Sequence, residues 1–417
     1  MISITPTSPT SATPILDTAT SYGVAESTPL APQNDAERNL VTDAAHAGVG
    51  GSTEVRVDEK CGGVSQAPPI ISRPTEHVSL SRVRRRTQCT RQDWYQTEGA
   101  RDGYRRDAPA DAREAFALKK LTSLPGVIGD AIHHAAATRA RAVRDGRRPP
   151  TAEEARATIV DRLNTAVTSR NVSAFLRRPS NHVMLREVFF NEWPGGKVPS
   201  DVIRETNDRI DTLLMHLFRH PVWEDLAHCG KGDILVCDNL DALEITVDEA
   251  PVRVYAAPDL VWISHEPVHI PDFGVPLVPP TISILDWKTG RSPGQEDQAR
   301  RQLCVYAWWL SQKLESLGVS VVPNAFVGRI AALGAAPGTD SDLQFILRAD
   351  DIESGRRYLS NEAADIVAQR EPDGSVPIES TSRSLDACRW CSFTRLCITD
   401  TKLPSADAAP TAEVCAP

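Results

Sequence analysis

Residues 282–310 read ISILDWKTGRSPGQEDQARRQLCVYAWWL, and the apolar period changes halfway along them. Ile282, Ile284 and Leu285 are the apolar part of a buried strand, whose two-residue alternation delivers Asp286 and Lys288 onto one face. Gly290, Pro293 and Gly294 break that strand. From Gln295 to Leu310, the residues Leu303, Tyr306, Ala307 and Leu310 recur at helical spacing. Gln302 and Tyr306 lie one turn apart on this helix and can share a face with the strand end. A buried strand turning through Gly and Pro into a helix predicts an α/β chain with a mixed central sheet flanked by helices.

A carboxylate and an amine side by side at a strand end suit phosphodiester hydrolysis. The carboxylate can hold Mg²⁺, which polarises a phosphoryl oxygen, while the amine orients or deprotonates the attacking water and offsets developing charge. The same pair is also a common exposed ion pair, so its company decides between the two readings.

That company resembles a known family. DWKTG followed by Gln302-Leu303-Cys304-Val305-Tyr306 is similar to the third motif and QxxxY helix of the RecB-like branch of the PD-(D/E)XK nuclease superfamily. Pro258-Asp259 in VRVYAAPDLVWI matches the family's earlier metal-binding Asp, and Gly129 to His133 in GVIGDAIHHAAA matches its GxxxH helix. The resemblance spans roughly Ser79 to Asp400. It implies a restriction-endonuclease-like core in which His133, Asp259 and Asp286 hold Mg²⁺ or Mn²⁺, Lys288 positions the water, and Gln302 and Tyr306 orient Lys288 or contact DNA. Two departures bear on the mouth of the site: Ala256 stands where the family has Gly, and 26 residues, many of them proline, separate Asp259 from Asp286.

The 417-residue chain carries a net charge of −9, which at first argues against a nucleic-acid partner. Of that charge, −5 lies in residues 1–70 and −2 in residues 400–417, leaving the body near neutral at −2. Arginines cluster within the body at Arg82, Arg84, Arg85, Arg86 and Arg91, at Arg101, Arg105 and Arg106, and at Arg139, Arg141, Arg144, Arg147 and Arg148. Such patches can track a phosphate backbone or simply solvate helix faces. Residues 1–70 are rich in Ser, Thr, Pro, Ala and Gly without an apolar period and are expected to form a disordered tail. The nuclease domain is expected over 71–400, with a helical insertion at 135–227 and a mobile C-terminal tail at 401–417. No stretch approaches the ~20 apolar residues of a membrane span, so a soluble, cytoplasmic protein is expected.

Nine cysteines at irregular spacing fit a reducing compartment. CRWCSFTRLC places Cys388, Cys391 and Cys397 close together, a metal-binding arrangement one ligand short of four. The resemblance supplies the fourth. In iron-sulfur members of the RecB-like nucleases, among them CRISPR-associated four-cysteine nucleases and the nuclease domains of AddAB-type helicase complexes, one cysteine precedes the GxxxH helix and three follow the core. Cys89, in a predicted helix opened by Ser79 or Ser81, is the match, which implies a [4Fe-4S] cluster on Cys89, Cys388, Cys391 and Cys397; structural zinc is the alternative.

The remaining pattern supports this order. TAEEARATIVDRLNTAV and SDVIRETNDRIDTLLMHLFRH are amphipathic helices, the first with a Thr cap, and serve as scaffold or channel wall. DILVCD, LEITV, VRVYAA and DLVWI predict a strand meander leading to Asp259, with Glu244 on a solvated strand face. The expected function is metal-dependent cleavage of DNA, as single strands or duplex ends, by an exonuclease or flap-type enzyme in repair, recombination or CRISPR-linked processing. No GxxxxGK[ST] phosphate loop occurs, so a helicase motor would be a separate partner. The alternative is a catalytically silent DNA-end-binding module of a larger complex.

Overall fold

The structure, a computed structural model, describes residues 76–399 except 194–196, 239–240, 248–249, 269–275, 291–295, 320–324, 336–341, 372–374, 379–380 and 382–383. The expected tails at 1–70 and 401–417 lie outside the described residues. The strands are β1 (Glu76–Ser79), β2 (Ile234–Cys237), β3 (Asp241–Val247), β4 (Ala250–Ala256), β5 (Leu260–Ser264), β6 (Thr281–Lys288), β7 (Phe326–Ala332) and β8 (Asp342–Leu347). Before β2 come the helices α1 (Leu80–Gln88), α2 (Thr90–Trp94), α3 (Ala110–Leu118), α4 (Leu124–Arg144), α5 (Ala152–Thr168), α6 (Val172–Arg177), α7 (Arg186–Phe189), α8 (Ser200–Arg219) and α9 (Val222–Ala227). After β6 come α10 (Glu296–Ser311), α11 (Ala349–Ala368), α12 (Leu385–Cys388) and α13 (Thr394–Thr399).

The chain is mixed α/β as expected, but it builds two sheets. A five-stranded sheet has the order β2-β5-β6-β7-β8, with β6 and β7 parallel and the other pairs antiparallel. A three-stranded sheet has the order β1-β4-β3. The four predicted strands before residue 264 therefore do not form one meander. β2 pairs with β5, whereas β3 and β4 form a hairpin in the smaller sheet, so the chain changes sheets at Ala257-Pro258-Asp259. Proline has no N–H to continue a ladder, which makes this a natural crossing point.

Strand β6 is buried from Thr281 to Trp287, as expected of a central strand covered on both faces. One face sends Leu260, Trp262, Leu285 and Trp287 into a core with α4, α5, α8 and α9. The other sends Val261, Ile282, Ile284 and Ile330 against α10, α11 and the valines of the smaller sheet. Helices α10 and α11 pack backbone to backbone at Gly355, where a Cβ would lie 2.4 Å from the Cys304 carbonyl. Only glycine leaves room there. Among the described residues no helix is long and apolar enough to cross a membrane.

The caps agree with the sequence in two places. Thr151 accepts from the Glu154 amide at 3.3 Å, and the Glu154 carboxylate accepts from the Thr151 amide at 2.8 Å, a full capping box for α5. Ser79 caps α1, accepting from the Arg82 amide at 3.2 Å. The helix predicted to run through Cys89 is instead broken there. Cys89 has extended φ and ψ of −165° and 108°, and its sulfur accepts from the Gln92 amide at 3.4 Å as the cap of α2. The break turns the thiol out of the helical register.

Candidate functional site

Register places the acidic groups. Strands β5 and β6 are antiparallel with Leu260 opposite Leu285, which sets Asp259 at the start of β5 across from Asp286 on β6. Both acids are buried, at 9% and 3% exposure. Asp259 Oδ2 accepts from the Trp287 amide at 2.7 Å, and Oδ1 lies 2.9 Å from His133 Nδ1, which α4 brings over the strand ends. On the opposite side, α10 presents Gln302 and Tyr306. Gln302 Nε2 donates to Asp286 Oδ1 at 2.7 Å, and the Tyr306 hydroxyl donates to the same oxygen at 3.3 Å. The other oxygen of Asp286 forms an ion pair with the Lys288 ammonium and receives no well-aligned hydrogen bond. The six side chains expected to make the site thus meet at one end of the larger sheet.

Their electrostatics follow from crowding two carboxylates into a dry place. Burial, then the charge of Asp259, push Asp286 up to about 6, although Lys288 and His133 pull the other way. Burial works against a charged His133, but its hydrogen bond to Asp259 and the charges of Asp259 and Asp286 outweigh this and hold it above its ordinary value. Burial, Asp286 and Asp259 raise Tyr306 well above the ordinary phenol range, so its proton stays in place to be donated. Lys288 partly offsets the charge of the two carboxylates.

These residues have the chemistry of a hard-cation site. Asp286 Oδ2 is a buried carboxylate oxygen whose neighbour is a single ammonium, and His133 Nδ1 and Asp259 Oδ1 stand 2.9 Å apart. Neighbouring ligands about 2.1 Å from one octahedral ion are separated by about 3 Å, so that pair has a suitable spacing. Among the described residues no three His, Cys, Asp or Glu side chains are already drawn together as a ligand set. In the arrangement seen, Lys288 is the cation that faces Asp286.

Several contributors are invisible to motif reading. Arg209 of α8 donates to the Thr289 carbonyl at 3.3 Å, fixing the turn that follows Lys288 from 80 residues away. His216, one helical stretch further on, lies 2.7 Å from the Leu333 carbonyl at the end of β7. Helix α8 thereby walls a groove with about 780 Å³ of accessible space, lined by Leu124, Pro125, Ile128, Arg209, Thr289 and Gly334 among others. Nothing local in SDVIRETNDRIDTLLMHLFRH marks Arg209 except its polar place on an amphipathic helix. Glu244 lies exposed on β3, opposite Arg253 in the smaller sheet, as its solvated-face reading expected.

The arginine clusters divide differently from their sequence pattern. Arg82 is buried between Glu76 at 2.6 Å and Asp93 at 3.1 Å, and Arg85 and Arg86 also face Asp93. Arg139 stacks over Phe218 and Trp223, at 4.8 Å from each ring. These arginines hold the fold together and are not available to a phosphate backbone.

The four cysteines expected to act together do line one pocket. Cys89, Cys388, Cys391 and Cys397 line one small hollow of about 10 Å³, with Tyr95, Phe393 and Thr394 completing the wall. None is in a disulfide. Burial first, and then the other three cysteines, push Cys391 up to about 11, because four thiolates cannot crowd together without a cation. Thr394 Oγ1 donates to the carbonyls of Cys388 and Cys391, at 3.0 and 2.9 Å, and so holds the Cys-x-x-Cys turn closed.

Comparison with known proteins bears on the larger site. No curated protein matches the chain. Among solved structures, the crystal structure of SSO0001 matches at 13% identity, with a TM-score of 0.23, over 47% of this chain and 79% of that one, too slight a likeness to inform the fold. The family profile of the PD-(D/E)XK nuclease superfamily matches residues 77–398, from β1 through α13, and so takes in both the acid–lysine cluster and the cysteine pocket. With the motif acids, the lysine and the sheet that carries them all inside that match, the chain belongs to the PD-(D/E)XK nuclease superfamily.

Proposed function

We propose that this protein is a Mg²⁺- or Mn²⁺-dependent DNA nuclease whose metal is held by His133, Asp259 and Asp286. The observation that carries the reading is the buried Asp286–Lys288 pair on one face of β6, with Asp259 set opposite by register. The bound ion would supply charge to a phosphoryl oxygen and a more acidic water. The protein's own share is positional. Gln302 and Tyr306 fix Asp286 through one oxygen, leaving the other to the reacting side. Lys288 projects from the same face, half-buried, where its ammonium can orient a water and offset charge on the phosphate. The Trp287 amide holds Asp259 Oδ2, which leaves Oδ1, beside His133, to face the ion.

The cysteine pocket is assigned to a [4Fe-4S] cluster, in support of which stands one distant cysteine joined to a C-terminal trio; zinc would more often use two Cys-x-x-Cys pairs. Substrate ends or single strands, in repair, recombination or CRISPR-linked processing beside a separate helicase, are the finer reading, supported by motif order and cysteine placement.

The test is anaerobic purification followed by cleavage of end-labelled single- and double-stranded DNA with Mg²⁺ or Mn²⁺. Lys288→Ala should abolish cleavage and retain binding; unchanged cleavage would remove the assignment. Binding without cleavage in the wild type would point to a silent end-binding module. Broad absorbance near ~400 nm separates iron-sulfur from colourless zinc.

A further inference from the structure

We propose that Trp390, framed by Arg389 and Arg186, is a stacking platform for single-stranded nucleic acid that extends the substrate path away from the cleavage site. The proposal rests on the nuclease reading and adds a second point of contact to it.

Trp390 sits between Cys388 and Cys391, yet 68% of it is exposed. A large ring in so short a metal-binding turn is normally expected to pack inward, as Phe393 does at 2% exposure. Cations frame it instead. The Arg389 guanidinium lies 5.0 Å from the ring centre and that of Arg186 lies 5.9 Å away. Arg186 is itself fixed: it donates to the Arg389 carbonyl at 3.1 Å, pairs with Glu192 at 3.0 Å and stacks 5.6 Å from Phe190. The ring is therefore displayed on a rigid base with positive charge beside it. An exposed indole beside the exposed Arg389 guanidinium matches a nucleobase with its phosphate, whereas an apolar protein partner would leave Arg389 unanswered.

Position links this platform to the groove. Arg186 begins α7, and its neighbour Glu187 accepts from the Leu124 amide at 3.0 Å at the start of α4. Leu124, Pro125 and Ile128 line the groove whose other wall includes Thr289, next to Lys288. From Leu124 to His133 the helix rises about 14 Å, so with the side chains beyond it the platform lies on the order of 20 Å from the cleavage site. A stacked strand at about 3.4 Å per nucleotide covers that in roughly six nucleotides.

The test compares oligo-dT of four and twelve nucleotides, with the full chain carrying Lys288→Ala so that the strand survives. Binding is read by tryptophan fluorescence and by anisotropy of labelled DNA. Trp390→Ala should weaken the twelve-mer by about 5- to 100-fold and the four-mer by less than about twofold, while Trp390→Phe should recover most of the affinity. Arg389→Ala should reduce the salt dependence of twelve-mer binding by about one phosphate. Equal loss at both lengths, with bleaching of any ~400 nm absorbance, would indicate a collapsed cysteine pocket and overturn the proposal. So would an unchanged twelve-mer affinity, or an indole covered by residues 400–417 and exposed only on their deletion. Because binding is read without cleavage, an inactive wild type would sink the proposed nuclease function and leave this test standing.

Discussion

The acid–lysine site and the cysteine pocket each gather several ionisable side chains at one place, and they do so in opposite ways. At the first, Lys288 supplies positive charge and every oxygen of Asp259 and Asp286 except Asp286 Oδ2 has a hydrogen-bond partner. At the second, Cys391 is pushed up to about 11 by burial and by its three companions. A hard-oxygen site balanced by its own side chains can load and lose a cation while the fold stays intact. A pocket of thiols has no such balance, and a metal held there, as proposed, would belong to the structure itself. The difference predicts one exchangeable centre and one permanent one.

The largest effect expected is at the first site. Asp259→Asn or Asp286→Asn should each cut cleavage by about a thousandfold or more, since each would remove a charge from the proposed metal site, whose electrostatics would carry most of the rate. Steady-state cleavage with Mn²⁺ titration checks this. Any visible absorbance should be unchanged, and a variant that bleached the protein would show the two centres to be one cooperative unit.

Next comes the staple. Cys391→Ser should bleach the protein and destabilise it by up to about 5 kcal/mol, the scale of a constraint closing a loop of about 300 residues. Urea unfolding of the anaerobic protein reads the loss. Dialysis against EDTA sharpens the contrast: activity should vanish and return with Mg²⁺ while the absorbance persists. Loss of both together would contradict the division into exchangeable and permanent centres.

What the sequence disclosed depended on range. The unit from Ile282 to Leu310 was legible because a two-residue period, a Gly/Pro turn and a helical period follow one another within thirty residues, and side-chain geometry follows directly from them. Thr151 was legible as a cap for the same reason, its partner Glu154 being three residues away. The break at Cys89 was not, since TQCTRQ has no glycine or proline, and the hollow that the cysteine lines is completed by residues nearly 300 positions distant. Arg82 misled for a related reason. A run of arginines looks like a basic surface until Glu76 and Asp93 close on it, and those ion pairs depend on the turn that the break creates. The division into two sheets was hidden because each strand run satisfies β periodicity and pairing choice is a tertiary decision.

Support of Asp286 should matter less than Asp286 itself, and unequally between its two donors. Gln302 holds the carboxylate at 2.7 Å and Tyr306 at 3.3 Å. Gln302→Ala should cost about 10- to 100-fold in kcat, by loosening a charged group whose position sets the rate. Tyr306→Phe should cost only about two- to fivefold, because Gln302 still occupies Oδ1 and the ring still fills its place against α11. A reversed order would mean that the phenol touches the substrate.

The smallest effect tests the boundary between the two sheets. Glu244 is an acid in a nuclease domain on a strand near the metal motif, and a carboxylate there could serve as a further ligand if β3 lay in the larger sheet. It does not: β3 pairs with β4 in register Glu244 to Arg253, the Glu244 side chain faces solvent, and the chain changes sheets before Asp259 is reached. A solvated strand-face carboxylate opposite an arginine is worth a few tenths of a kcal/mol to stability. Glu244→Gln should therefore leave cleavage and its Mn²⁺ dependence within about twofold of wild type. A tenfold rise in the Mn²⁺ concentration needed for half-maximal cleavage would require the hairpin β3–β4 to reach the ion, and with it a different path for the chain through Ala257-Pro258-Asp259.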